Sequence, residues 1–155
     1  MKAEGDHVKV VPAPGILLVF TILELALNWI HPLPILTNLV IARVVGVLVV
    51  GIGFFVGGSA VVEMRRVHTS PNPHKPVTTL VEAGVFRHSR NPVYLAMFAI
   101  CIGIAICINV LWLILLCPVM FWSVENWVVK PEEGYLERRF SDVYRQYKKR
   151  VRRWI

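Results

Sequence analysis

Apolar runs close to the length that spans a bilayer recur along almost the whole of this chain, at residues 12–30, 35–62, 92–108 and 110–129. A helix needs about 20 predominantly apolar residues to cross the hydrocarbon core, where no water satisfies an unpaired backbone. That requirement points to an all-α, polytopic membrane protein of about four transmembrane helices. Composition agrees, since 55% of the 155 residues are hydrophobic and the mean hydropathy is +0.58, too apolar for a soluble domain of this size. His31-Pro32-Leu33-Pro34 breaks the first pair of runs and Asn109 turns the second. Glu24 interrupts the first run, no small-residue cleavage site follows it, and the next run begins at once. We therefore read it as a retained helix and not a signal peptide.

The charges orient this bundle. Of 17 Lys and Arg, five lie in residues 63–91 and nine in 130–155, whereas the connections at 31–34 and 109 carry none. The excess of cytoplasmic Lys and Arg in membrane proteins then places both basic segments, and both termini, in the cytoplasm. Trp29 and Trp112 fall at the outer helix ends and Trp127 at the inner one, where interfacial aromatics sit. The net charge of +7 flanks membrane spans, so the expected partners are anionic membrane lipids and not nucleic acid. Cys101, Cys107 and Cys117 lie in apolar runs without CxxC spacing. His7, His31, His68, His74 and His88 show no metal-ligand spacing, so no metal site is expected.

Three patterns concern packing. Glu24 and Arg43 lie at matched depths in consecutive runs, which predicts an ion pair locking an antiparallel hairpin over 12–62, because an unpaired charge at that depth is costly. Ala42, Gly46, Gly53 and Gly57 form a stripe of small residues, suited to close packing within the bundle or to an oligomer through the Gly53/Gly57 face. After Pro131, the apolar residues Leu136, Phe140, Val143, Tyr144, Tyr147, Val151 and Trp154 recur at three and four with Arg and Lys between them. That spacing predicts a C-terminal amphipathic interfacial helix, with a break into two shorter helices at Ser141.

Two polar stretches carry the chemistry. Gly84-Val85-Phe86-Arg87-His88-Ser89-Arg90-Asn91-Pro92-Val93-Tyr94-Leu95 runs straight into an apolar segment, and Pro131-Glu132-Glu133-Gly134-Tyr135-Leu136 leaves another and continues into 140–151. In that order the pair resembles the signature of the isoprenylcysteine carboxyl methyltransferase and phospholipid methyltransferase superfamily, over roughly residues 72–155. The resemblance implies a single membrane methyltransferase domain over 1–155, with the hairpin at 12–62 and a cofactor-binding catalytic core at 63–155. It implies S-adenosyl-L-methionine as cofactor and a lipidic or small apolar methyl acceptor. Carried onto this chain, the cofactor-holding positions are Thr78, Thr79, Leu80 and Val81, then Phe86, then Asn91, Pro92, Val93 and Tyr94, and Glu132.

The residue types suit that ligand. A carboxylate at Glu132, beside Glu133, can accept the ribose hydroxyls or the ammonium; Arg87 or Arg90 can meet the methionine carboxylate; Phe86 and Tyr94 offer aromatic faces to the base or the sulfonium. Catalytic candidates are His88, as a base with an unperturbed pKa near 6.5, and Arg90 or Arg150 as partners of an acidic acceptor. The chain departs from isoprenylcysteine methyltransferases in having Asn91 where they usually have His, and Val128 at the position aligned with their substrate-recognising arginine. It is also expected to lack the extra N-terminal spans of larger members. A prenylcysteine carboxylate would thus find no partner at 128. Two other readings stand beside this one: an NADPH-dependent membrane reductase related to sterol reductases, and a non-catalytic membrane scaffold.

The orientation is open to direct measurement. A cysteine introduced at Asn72 is expected to resist an impermeant thiol reagent in intact cells, and rapid labelling there would invert the topology.

Overall fold

The computed structural model describes residues 12–69 and 77–155, all helix, turn or irregular chain with no strand among them. Helix α1 runs over Ala13–Ile30, α2 over Leu39–Arg66, α3 over Pro92–Cys107, α4 over Trp112–Val124 and α5 over Lys130–Arg150, with a 3-10 turn at Gly84–Arg87. His7, His74, Lys75 and the labelling position Asn72 lie outside the described residues. Local chemistry explains the boundaries. Asn38 caps α2 by accepting from the Val40 and Ile41 amides at 3.0 and 3.2 Å. Pro92 opens α3, at a position where its missing N–H would have had no helical partner.

Three helical stretches are long and apolar enough to cross a membrane: α1, α2 and the stretch Trp112–Arg150, whose rod runs from Trp112 to a break in α5 at Ser141. With 16 residues α3 is shorter, about 24 Å at 1.5 Å per residue. The rod does not stop at Pro131. Between α4 and α5 lies a π turn, Glu125–Val129, closed by the Lys130 amide on the Glu125 carbonyl. Proline has no N–H to donate, and it is tolerated beside such a turn, where the ladder changes from i+5 back to i+4 bonds. The apolar part of the rod ends at Val129, and every turn from Lys130 onward carries charge.

The helices pair as α2 with α3 and α1 with α4. In the first pair the small residues decide the spacing. A Cβ built on Gly46 would lie 2.6 Å from the Gly103 carbonyl oxygen and the Cys107 amide nitrogen, and one on Gly53 would lie 3.0 Å from the Ala96 carbonyl oxygen. Gly46 faces 103–107 while Gly53 and Gly57 face 96–100, so the helices run antiparallel with their backbones in near contact. The expected oligomerising use of the Gly53/Gly57 face meets this fact: α3 already covers that face. In the second pair Ile16 and Leu17 of α1 pack with Leu113, Met120, Val124 and Val128 of the rod and Phe98 of α3.

Glu24 and Arg43 do not form the expected pair. Glu24 is 2% exposed and its Oε2 has no hydrogen-bond partner among the described residues, while Arg43 is exposed on α2. The 12–62 hairpin fails with it, because α1 lies against α4 and not against α2. Equal depth fixes height along the bundle but leaves the facing direction free. The connections at that end do meet, as Asn109, at a φ of 58°, accepts from the Ile35 and Leu36 amides at 2.9 Å and donates to the Leu36 carbonyl at 2.9 Å. Trp112 Nε1 adds a bond to the His31 carbonyl at 2.8 Å.

Ser141 breaks α5 as expected, with φ 45° and ψ −116°. The chain reverses there, so Lys148 Nζ returns to within 3.0 Å of Glu137 Oε2. The amphipathic segment therefore buries Tyr135, Tyr144 and Tyr147 against the rest of the protein.

Thermal unfolding in detergent tests the packing. Gly46→Ala is expected to destabilise by about 1–3 kcal/mol through overpacking, while Gly51→Ala, with open space around its Cα, is expected to be neutral or to gain up to about 1 kcal/mol. Glu24→Leu should raise stability and Arg43→Leu leave it unchanged.

Candidate functional site

The two polar motifs come together at the charged end of the bundle. Gly84, at φ +57°, starts the 3-10 turn that leads into the loop His88–Asn91 and then α3. That loop is held by the returning end of the chain. The Arg90 amide donates to the Arg152 carbonyl at 3.1 Å, and Ser89 Oγ and Asn91 Nδ2 both donate to the Arg153 carbonyl, at 3.2 and 3.1 Å. Tyr147 Oη donates to the Phe86 carbonyl at 2.7 Å. The first turn of α5 faces the loop and α3, with Tyr94 Oη donating to Glu132 Oε2 at 2.7 Å and Arg90 Nη1 lying 3.0 Å from Glu133 Oε1.

These residues surround a cleft. Its walls come from Met64 near the end of α2, Thr69 just beyond that helix, Val77, Thr79, Leu80 and Val81, Phe86, Arg90 and Asn91, and Glu132, Glu133, Leu136, Tyr144 and Tyr147 from α5. Its cavity volume is about 80 Å³, and a recess bounded by Pro92, Val93 and Tyr94 adjoins it through shared residues Met64, Phe86, Arg90, Asn91 and Glu132. Thr69 ties the segment at 77–81 to α2, donating from Oγ1 to the Thr79 carbonyl at 2.8 Å and accepting from the Thr79 amide at 3.1 Å.

Most of the residues expected from sequence lie together here. Thr79, Leu80, Val81, Phe86, Arg90, Asn91, Pro92, Val93, Tyr94, Glu132 and Glu133 all border the cleft or its recess. Thr78 is exposed and does not border it; its hydroxyl bonds to the His68 carbonyl at 3.1 Å. Arg87 and His88 are exposed on the other side of the 3-10 turn, beside Phe54 and Phe55 of α2, because a residue one or two beyond buried Phe86 points away from it. Arg150 stands outside as well, paired with Glu82 at 2.6 Å. Val128 packs in the core and not at the cleft.

The sequence reading missed Met64, Thr69, Tyr144, Tyr147 and Arg153 as parts of this site. The tyrosines were legible only as an apolar face, and Arg153 only as one charge in a basic run. Arg153 is the hub of the charged side chains: its Nε and Nη2 reach Glu133 at 3.0 and 2.8 Å and its Nη1 reaches Glu125 at 2.8 Å. Those hydrogen bonds to Glu133, and then the charge of Glu125, raise the Arg153 pKa and hold its guanidinium charged. Burial raises the Glu132 carboxyl above its ordinary range, the Tyr94 hydrogen bond acts in the opposite direction, and Glu133 raises it further. Burial first, and then the Glu133 charge, push the Tyr144 hydroxyl up to about 12, so it stays neutral at physiological pH.

The family model for phospholipid methyltransferases matches residues 41–143. The chain belongs to the phospholipid methyltransferase family. The match takes in nearly all of α2, both polar motifs and α5 to just past the Ser141 break. Membership implies a membrane methyltransferase and bears out the superfamily resemblance, whereas Tyr144, Tyr147 and Arg153 lie beyond the matched stretch. A protein of Haemophilus influenzae, described as uncharacterized, is 47% identical over 32 residues, or 21% of this chain and 51% of that protein. The chain thus spans about half the length of that curated relative. No solved structure matches.

Tyr94→Phe removes the hydroxyl that Glu132 bonds and is expected to destabilise the protein by about 1–3 kcal/mol in thermal unfolding. Arg150→Ala, which breaks an exposed pair, is expected to cost no more than about 1 kcal/mol.

Proposed function

We propose that this phospholipid methyltransferase family member binds S-adenosyl-L-methionine in the cleft and methylates a lipidic or small apolar acceptor at the cytoplasmic face of its membrane. Charge carries the reading. The charged side chains bordering the cleft are Arg90, Glu132 and Glu133, one cation against two anions. S-adenosyl-L-methionine has a sulfonium and an ammonium against one carboxylate, so ligand and cleft are complementary in net charge as well as in parts. The side chain of Arg90 is 8% exposed, and its Nε is buried with no hydrogen-bond partner among the described residues. Such a donor suits the methionine carboxylate.

The remaining walls fit the rest of the molecule. Leu80, Val81, Phe86 and Leu136 offer apolar surface to an adenine, and Glu132 offers oxygens to the ribose hydroxyls or the ammonium. When bound, the cofactor supplies an electrophilic methyl group on a positive sulfur. The protein's own part is then to orient that group and exclude water, which methyl transfer needs more than an elaborate set of catalytic groups. Tyr94 fixes the Glu132 carboxylate through its 2.7 Å bond, and Phe86 and Tyr94 bring aromatic faces near it. His88 and Arg150, both outside the cleft, have no role in this reading. Arg90, the one arginine at the cleft among the described residues, is taken in this reading by Glu133 and the methionine carboxylate, which disfavours an acceptor that needs an arginine for a second free carboxylate.

Calorimetric titration of the purified protein with S-adenosyl-L-methionine and with NADPH separates the readings. Binding of the former alone is expected, since the phosphates of NADPH would meet a net acidic wall. Tight NADPH binding would point to a reductase, and binding of neither to a scaffold. Glu132→Ala is expected to weaken cofactor binding by about one to two orders of magnitude, the equivalent of one charge-assisted hydrogen bond.

A further inference from the structure

Glu133 is 7% exposed, and its carboxylate is shared by two arginines, Arg90 from the loop before α3 and Arg153 from the returning end of the chain. Arg90 borders the cleft and Arg153 does not. Arg153 uses Nε and Nη2 on the two oxygens of Glu133 and still reaches Glu125 in the π turn with Nη1. Its carbonyl accepts from Ser89 and Asn91, and the carbonyl before it accepts from the Arg90 amide. Trp154, next in sequence, packs its ring 6.4 Å from that of Phe98 on α3 and 4.6 Å from that of Phe121 on α4. Residues 152–154 thus touch α3, α4, the π turn, α5 and the loop between the two motifs.

We propose that residues 152–154 are a strap that sets the geometry of the cleft, with Arg153 the positioning residue that orients Glu133 and, through it, Arg90. The inference rests on the reading of the cleft as the cofactor site. The reasoning is one of competition for a carboxylate. With Arg153 in place, Glu133 Oε2 is taken at 2.8 Å and Arg90 receives only Oε1, at 3.0 Å, which leaves the rest of its guanidinium for the cleft. Without Arg153, Glu133 is free to turn both oxygens to Arg90, and an arginine fork closed on one carboxylate has fewer donors left for another. Lysine at 153 can supply charge but not the planar fork that spans Glu133 and Glu125 together. The side chain of Arg153 is 30% exposed, and Arg90 remains as a partner for the Glu133 carboxylate when Arg153 is replaced.

The test uses the full-length protein in detergent and four forms: wild type, Arg153→Met, Arg153→Lys and Lys149→Ala. The last removes an exposed charge of the same basic run that lies outside the strap. With S-adenosyl-L-methionine as probe, Arg153→Met is expected to bind about 10–100-fold more weakly, by analogy with loss of the partner that orients a metal-ligating side chain. Arg153→Lys should fall between it and wild type, and Lys149→Ala should match wild type. Thermal unfolding of each form without cofactor shows whether it is folded. A folded Arg153→Met protein that binds as tightly as wild type overturns the positioning role. Hydrogen exchange over 88–92 reads the strap without any cofactor: slow exchange of the Arg90 amide in wild type and faster exchange in Arg153→Met are expected. Fast exchange in wild type overturns the strap. Wild type that fails to bind S-adenosyl-L-methionine while keeping the slow exchange sinks the cofactor reading and supports the strap alone.

Discussion

The reversal at Ser141 is the constraint on which the site depends. Had α5 continued straight, Arg153 would stand about 30 Å along the axis from Glu133, twenty residues at 1.5 Å each, instead of bonded to it. The backbone there sits at φ 45° and ψ −116°, outside the regions that L residues favour, a departure worth on the order of 1–3 kcal/mol. The returning half offsets that cost through the Tyr147 bond to the Phe86 carbonyl and the two carbonyls that receive the loop at 89–91. Strain in the backbone and order in the cleft are thus two sides of one arrangement.

Much of this was legible in the sequence because bilayer physics is restrictive. The apolar runs, the break at 31–34 and the turn at Asn109 all appear as helices and connections where length, proline and asparagine put them. The motif residues gather because each motif has rigid local chemistry: a glycine at positive φ before Phe86, a proline opening α3, and a carboxylate pair in the first turn of α5. Even the Ser141 break was visible, as a serine of the kind that caps the start of a second helix.

What escaped was direction around a helix axis. Glu24 and Arg43 stand at equal depth, but hydropathy says nothing about which neighbour a face meets, and α1 turned to α4. The same ignorance put Arg87 and His88 in the site with Arg90, although a 3-10 turn swings adjacent side chains to opposite sides. Arg153 was invisible for a different reason. A basic run offers many equivalent charges, and only the reversal at Ser141 selects the one that reaches Glu133 and Glu125.

The amide of Asn109 has a mechanical side. It fastens the 31–38 connection, and with it the start of α2, to the turn between α3 and α4 at the end of the bundle remote from the cleft. Met64, near the other end of α2, borders the cleft some 25 residues away, about 38 Å at the helical rise. Between those two ends the seam at Gly46, Gly53 and Gly57 locks α2 to α3. The cleft wall at Met64 is therefore braced by the whole length of the α2–α3 pair and not by its fastened end alone.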